Sequence, residues 1–292
     1  MATKMGSSSR AEGEKEFLFN NKDFNRVREL IYQRAGISLS ENKQEMVYSR
    51  LARRLRVTGI NSFVAYLDLL EREQDSEEWE AFTNALTTNL TSFFREEHHF
   101  PILIEHIRKQ SGNVTVWCSA SSTGEEPYSI AIALCEAFGT LRPPAKIIAS
   151  DIDTNVLAVA AKGVYSFDRV EKLSQERLKK YFLRGKGQHE GMVMMRPELR
   201  DMISFVRINL LDERWPIEGE FDVIFCRNVM IYFDKPTQGN ILKKFSPLLK
   251  KNGLLFAGHS ENFLYVTDQF KLRGKTVYEL ASPDDQRKKL HP

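Results

Sequence analysis

The residues best suited to chemistry fall in short runs where strand-like segments pass into helical ones. The apolar run Val114 to Cys118 leads into Ser119-Ala120-Ser121-Ser122-Thr123-Gly124 and then a helical stretch opened by Glu125, Glu126 and Pro127. Small side chains let a backbone approach a ligand closely, as glycines do in dinucleotide-binding loops. Pro127 fits the first position of a helix, with Glu125 and Glu126 at the helix's positive end. Two acids there disfavour a phosphate and favour a sulfonium or an amino group, which points to S-adenosylmethionine rather than NAD or ATP. The competing reading is that the acids only complement the helix dipole.

A second strand-like run ends in Ala149-Ser150-Asp151-Ile152-Asp153. An acid at that point can accept both hydroxyls of an adenosine ribose, and Asp151 is the better placed; Asp153 is expected to cap the helix starting at Thr154. A third run, Phe221 to Cys226, ends at Arg227-Asn228-Val229-Met230-Ile231-Tyr232-Phe233. Arg227, Asn228 and Tyr232 therefore stand at the carboxyl end of a central strand, where open α/β sheets bind ligands. Asn209 and Leu210 follow another strand at the same edge, where they either meet an adenine or are purely structural. In Asn89-Leu90-Thr91-Ser92-Phe93-Phe94-Arg95, the Arg95 guanidinium can clamp a carboxylate bidentately or form an interdomain salt bridge.

Other motifs fail on inspection. Gly274-Lys275-Thr276 resembles the end of a phosphate-binding loop, but Gln269 stands where the earlier glycine is required. Glu97-His98-His99 lacks helical spacing for one metal-binding face, because adjacent helical residues point apart, so no metal is expected. Cys118, Cys135 and Cys226 lie in apolar segments without metal spacing and read as buried thiols.

The elements that must position these groups follow from periodicity. From Asp23 to Leu90 apolar residues recur at three and four, as packed helices require; Gly36 and Gly59 sit at helix C-termini, and Ser40 and Asn61 are N-cap candidates. After Gly112, strand-like runs at Val114–Cys118, 146–150, 203–206 and Phe221–Cys226 alternate with helical ones, so a largely parallel, helix-covered sheet is expected. The stretch 181–200 reads as an inserted hairpin or small antiparallel subdomain. The segment from Gly253 reads as a strand and then a hairpin turning at Arg273-Gly274. The domain plan is a disordered segment 1–15, a helical domain 16–88, and an α/β domain 89–282 with its β-insert at about 178–203. A flexible segment 283–292 follows.

A formal net charge of +3 with 28% charged residues is that of an ordinary soluble globule and does not imply a general nucleic-acid binder. No apolar run approaches the roughly 20 residues of a spanning helix, and neither end reads as a signal peptide or anchor; a cytoplasmic location is expected.

Asn89–Arg95, Ser122–Tyr128, Ala149–Asp153, Phe225–Phe233 and Gly258-His259-Ser260-Glu261-Asn262-Phe263 together resemble the chemotaxis receptor glutamate O-methyltransferases of the CheR type. The resemblance spans about Phe24 to Leu280. It implies an all-α N-terminal domain before a Rossmann-like α/β S-adenosylmethionine-dependent methyltransferase domain carrying a small antiparallel β-subdomain. Asn89, Thr91, Arg95, Glu126, Asp151, Asn209, Leu210, Arg227 and Asn228 are then expected to line the cofactor site, with Arg95 and Tyr232 nearest the transferred methyl. The β-subdomain, through the loop containing Gly185 and Gly187, is expected to dock a receptor's C-terminal pentapeptide by adding a strand. Met194 and Met195 stand there where the family often has basic residues.

A glutamate carboxylate is ionised at neutral pH and needs no general base to attack a sulfonium methyl, which accounts for the lack of a nucleophile triad. Arg50, Arg53 and Arg54 share one side of the second helix, either as a solvated face or as a docking patch for acidic receptor helices. Two alternatives stay open: a non-catalytic cofactor-binding scaffold or sensor, and a methyltransferase for a nucleic acid. Against the latter, Arg227-Asn228-Val229-Met230 replaces the Asn/Asp-Pro-Pro-Tyr/Phe motif of amino-methylating enzymes.

Overall fold

The computed structural model describes residues 15–74, 76–282 and 285. The expectations of loose ends at 1–15 and 283–292 fall outside this range, except at Lys15 and Asp285, which ion-pair with Glu45 and Lys271. The described chain forms two compact units, one of residues 15–34 and 39–86, the other of 35–38 and from Thr87 onward.

The first unit holds α1 (Asn21–Ala35), α2 (Gln44–Thr58), α3 (Phe63–Arg72) and α4 (Glu77–Leu86). Asn20 and Asp23 cap α1 reciprocally, each side chain accepting the other's backbone N–H. Ser40 makes no capping bond: it precedes a 3₁₀ turn at Glu41–Lys43, and α2 starts only afterwards. Ser62, not Asn61, caps α3, accepting the Ala65 N–H. Gly59 ends α2 at φ 71°. Val27, Ile31, Leu51, Leu55, Phe63 and Leu67 make the apolar stripes that the helices bury together.

The second unit contains α5 (His99–Arg108), β1 (Val114–Cys118), α6 (Glu125–Phe138), β2 (Ala145–Asp151), α7 (Thr154–Lys162), β3 (Val164–Ser166), α8 (Gln175–Tyr181), β4 (Phe182–Arg184), β5 (Met192–Met195) and α9 (Pro197–Arg200). It continues with β6 (Ile203–Arg207), β7 (Phe221–Cys226), α10 (Lys235–Phe245), β8 (Leu249–Ala257), β9 (Phe270–Gly274) and β10 (Val277–Leu280). Seven strands form one sheet in the order β6-β2-β1-β7-β8-β10-β9, parallel from β6 to β8 and closed by the antiparallel β10 and β9.

Burial on both faces explains why β1 and β7 are apolar apart from Thr115 and Asp222, which hydrogen-bond to each other. Val116, Cys118, Val223 and Phe225 pack in one core with α5 and α6. Trp117, Ile224 and Cys226 pack in the other with α10. The order reverses between β1 and β7, so the crevice at their carboxyl ends is the topological switch point where open α/β sheets take ligands.

Two boundaries differ from the sequence expectation. The small sheet has the order β3-β5-β4 and so recruits Val164–Ser166, well before residue 178; a three-residue strand is too short to show a period. The terminal hairpin turns at Lys275 and Thr276, both at positive φ, rather than at Arg273-Gly274, because Gly274 still pairs with Val277.

Gly124 begins α6 at φ 100°, and a Cβ there would lie 2.6 Å from Tyr165 Oη and 2.9 Å from Ala160 Cβ. Overpacking alone costs about 1–3 kcal/mol, with backbone strain added. Gly124→Ala is expected to lower the urea midpoint by at least the overpacking cost. Gly124→Ala combined with Tyr165→Phe should recover little, because Ala160 still blocks the space; equal midpoints for Gly124→Ala and wild type would refute the packing argument.

Candidate active site

Four non-glycine residues at positive φ gather at the carboxyl edge of the sheet or in the chain leading to α5: Phe94, Glu96, Ser122 and Asn228. Such conformations persist only where surrounding bonds over-determine them. The Phe94 N–H donates to Ser129 Oγ at 2.9 Å, and the Ser122 N–H donates to Asp151 Oδ2 at 2.8 Å. The Asn228 N–H donates to Glu261 Oε2 at 2.9 Å.

Asp151, last in β2, is buried, and its second oxygen accepts the Asp153 N–H. Burial pushes its carboxyl up to about 6 despite the N–H donors. Asp153 caps α7 as expected, accepting from Asn155 and Val156. Its other oxygen receives Thr87 Oγ1 and Asn89 Nδ2, at 2.7 and 2.8 Å. The Asn89 amide thereby holds the 89–95 segment against the sheet edge, and the Asn89 carbonyl accepts Ser122 Oγ. Asn209 and Leu210 reach the same edge because the Ile208 N–H donates to Asp151 O. Asn209 Oδ1 accepts the Leu211 N–H, leaving the residue half-buried.

Arg227 is fully buried just after β7. Its Nη1 donates to Glu126 Oε2 at 2.9 Å, its Nη2 donates to the Arg95 carbonyl, and Glu96 Oε2 lies 3.4 Å away. Glu126 also accepts Cys118 Sγ at 3.3 Å, so both of its oxygens are engaged; burial raises its pKa, and Arg227 opposes the shift. Glu96 is held down to about 2: desolvation raises its pKa, but His259, Arg227 and Asn228 together outweigh it. Arg95 donates from Nη1 to the Leu90 carbonyl, curling the segment on itself. Tyr232 ends a 3₁₀ turn, Met230–Tyr232, that follows Asn228. Its carbonyl accepts the Ser38 N–H.

The structure thus connects Asn89, Arg95, Glu126, Asp151, Arg227 and Asn228 through short polar contacts, with Asn209, Leu210 and Tyr232 on the same edge. Thr91 joins through its carbonyl, which accepts Arg169 Nη2 at 3.1 Å. Three participants were not among the site residues expected from the sequence, although Glu261 lies in one of the runs that carry the resemblance. Arg169, beyond β3, ion-pairs with buried Glu125, which is therefore not an open acid facing a ligand. Glu261 caps the backbone of Gly258, Asn228 and Met230. Glu96 bridges Asn228, His259 and Arg227. Pro127 occupies the third rather than the first position of α6, because Gly124 sets the helix start two residues earlier.

The docking candidates separate. Arg54 is committed to Glu78 by two bonds of 3.0 and 2.6 Å, in contact with buried Tyr66, and Arg50 donates to the Ala85 carbonyl; Arg53 is exposed. A Cβ on Gly185 would lie 2.0 Å from His189 O, so only glycine fits; Gly187 has φ 59° with open space around it.

A parallel sheet with this reversal, closed by an antiparallel hairpin and edged by a strand-end acid, defines an α/β domain of the Rossmann-like methyltransferase kind. Residues 89–279 match the family described as CheR methyltransferase, SAM binding domain, and residues 22–87 match the CheR methyltransferase all-alpha domain. The chain is 57% identical to the chemotaxis protein methyltransferase of Salmonella typhimurium over 88% of its own length and 90% of the relative's. It is 51% identical to chemotaxis protein methyltransferase 2 of Pseudomonas aeruginosa, covering 92% and 96%. It is 36% identical to that of Borreliella burgdorferi, covering 91% and 94%. The chain belongs to the CheR methyltransferase family, and S-adenosylmethionine is its cofactor.

Removing one member of a buried ion pair costs about 3–5 kcal/mol, because the partner is left uncompensated. Arg227→Met is expected to lose that much in urea unfolding at pH 7. Pairing it with Glu126→Gln should restore part of the loss, whereas additive losses in the double variant would contradict the coupling.

Proposed function

We propose that the chain transfers the methyl group of S-adenosylmethionine to glutamate side-chain carboxylates of chemotaxis receptors, acting in the cytoplasm. The observation that carries this reading is the carboxylate-rich edge itself: Glu126 and Glu96 flank the buried Arg227 guanidinium, and buried Glu261 accepts backbone N–H groups close by in the chain. That excess of acid suits a cationic ligand and disfavours a polyphosphate. Ser121 Oγ is buried beside the Ser119–Gly124 loop without a protein partner, and Asp151 stands at the strand end, so the residues present fit an adenosyl ligand.

When bound, the cofactor supplies an electrophilic methyl on a positively charged sulfur. Asp151 would hold the ribose hydroxyls, and Asn209 and Leu210 would flank the adenine. Glu126 and Arg227, locked to each other, would set the charge at the amino-acid end with Asn228. Arg95 and Tyr232 would orient the acceptor carboxylate. No residue needs to remove a proton, because that carboxylate is already ionised. Neutralisation of opposite charges on the way to the transition state favours a water-poor pocket that holds the groups in line. Exposed Arg53 would lead contact with acidic receptor helices, while Arg50 and Arg54 mainly brace the helical unit. A receptor C-terminal pentapeptide would add to the edge of the small sheet near Gly185 and Gly187. Half-buried Met194, on the central strand β5 opposite Leu183 of β4, would offer an apolar rather than a cationic contact beside that edge.

Receptor-containing membranes incubated with labelled cofactor are expected to acquire base-labile label released as methanol, with Arg95→Ala reducing it at least about tenfold while leaving the urea midpoint near wild type. Cofactor binding without label transfer would count against the reading.

Asp151 gives a second test. Its carboxyl is ionised above about 6 and can then accept two ribose hydroxyls; below that value the added proton occupies one acceptor. The cofactor dissociation constant is therefore expected to be flat above pH 7 and to rise by up to about tenfold per unit below pH 6. In Asp151→Asn binding should be weak and free of that step. An unchanged pH profile in the variant would remove Asp151 from the ribose site.

A further inference from the structure

The Glu96, His98 and His99 side chains converge at the start of α5, with one donor atom of each within 4.8 Å of the others. His99 is completely buried, and its Nε2 lies 2.8 Å from the Lys275 carbonyl. A carbonyl only accepts, so Nε2 carries the proton and Nδ1 presents a lone pair. That Nδ1 has no hydrogen-bond partner and faces Glu96 Oε2 at 3.7 Å; this oxygen, on a side chain 9% exposed, also lacks a hydrogen bond. Two buried acceptors therefore point at each other. Such an arrangement is costly unless a positive centre lies between them.

Arg227 meets Glu96 Oε2 only as an ion pair, its Nη2 3.4 Å away while its hydrogen bonds go to Glu126 and the Arg95 carbonyl, and it leaves the His99 Nδ1 lone pair unanswered. A neutral imidazole whose other N–H is anchored on a backbone carbonyl has the arrangement usual for metal-bound histidine. The anchor is the hairpin turn at Lys275–Thr276, which also brings Thr276 Oγ1 to 3.2 Å from Nε2. The objection that adjacent residues point apart does not hold here. Glu96 has φ 53° and His98 precedes the first residue of α5, so neither lies within the helix.

We propose that Glu96 Oε2, His99 Nδ1 and a ring nitrogen of His98 form a site for one divalent transition-metal ion of the zinc type. Two imidazoles and a carboxylate are a donor set that Zn²⁺ takes, with its fourth position left to water. Tetrahedral bonds of about 2.0–2.1 Å place donors roughly 3.4 Å apart, so exposed His98 closes onto the fixed pair. Arg227 lowers the affinity, while nearby Glu126 and Glu261 offset it.

The test is calorimetric titration of the full, untagged chain with Zn²⁺, with X-ray absorption on the loaded protein. One ion per chain in a nitrogen and oxygen shell, bound at least about tenfold more weakly by His98→Gln, is the expected result. His98 is exposed, so that variant keeps the fold; Glu96→Gln should weaken binding further. Absence of saturable binding, a sulfur ligand in the shell, or undiminished affinity in His98→Gln would each overturn the site and leave the two acceptors bridged by water alone.

Discussion

A guanidinium with no exposed surface must find its counter-charges inside the protein, and Arg227 finds its partners on two elements that are far from it in sequence. Glu126 comes from the first turn of α6, Glu96 and the Arg95 carbonyl from the segment before α5, and Arg227 itself from the end of β7. Desolvating an arginine costs several kcal/mol, recovered only if the partners are correctly placed. The folded state that satisfies Arg227 is therefore one in which the loop after β1, the end of β7 and the 89–98 segment are already in register. Folding and assembly of the site become one requirement.

The same economy governs the backbone. Phe94, Glu96, Ser122 and Asn228 occupy left-handed conformations that cost on the order of 1–3 kcal/mol each when unsupported. The backbone N–H groups of Phe94, Ser122 and Asn228 are each fixed by a side chain from another element, and two of the fixing groups, Asp151 and Glu261, are buried carboxylates; Glu96 is held through its own side chain. Glu261 is the clearer case. It accepts from Gly258, Asn228 and Met230, and so shapes the turn that carries Tyr232 without contacting anything beyond it. Arg169 does comparable work from the small sheet, joining Glu125 to the Thr91 carbonyl. The β-subdomain is thus mechanically tied to the loop after β1.

What could be read beforehand follows a physical divide. The strands β1 and β7 were legible to the residue because burial on both faces leaves each with only one polar residue, Thr115 and Asp222. Asp153 was legible as a cap because capping is local in sequence. Strand-end placement of Asp151, Arg227 and Asn228 followed from the sheet pattern alone. Partnerships across long separations were not legible: Arg227 and Glu126 are 101 positions apart, and His259 and Glu96 163. Nothing in their spacing marks them. The charge stripe on α2 misled for the same reason, since Glu78, 24 residues from Arg54, takes that guanidinium out of the surface. Pro127 signals a helix start two residues too late, because the left-handed turn at Gly124 that sets the start leaves no local period in the sequence.

The balance of buried charge at this edge also bears on which ligands the fold admits. In dinucleotide-binding relatives of the architecture, the helix after β1 offers bare N–H groups to a pyrophosphate. Here Glu125 and Glu126 fill the first turn of that helix, and both are buried. Arg169 answers the first and Arg227 the second, so neither arginine is released to pair with an incoming phosphate. A polyphosphate would be desolvated there without a free countercharge, in a setting of low dielectric. On the proposed reading, a ligand with a ribose and a positive charge would have Asp151 for its hydroxyls and would need no such countercharge. Selectivity for a sulfonium nucleoside over a nucleotide would then need no dedicated rejecting group, because the ion pairs that hold the site together commit its arginines.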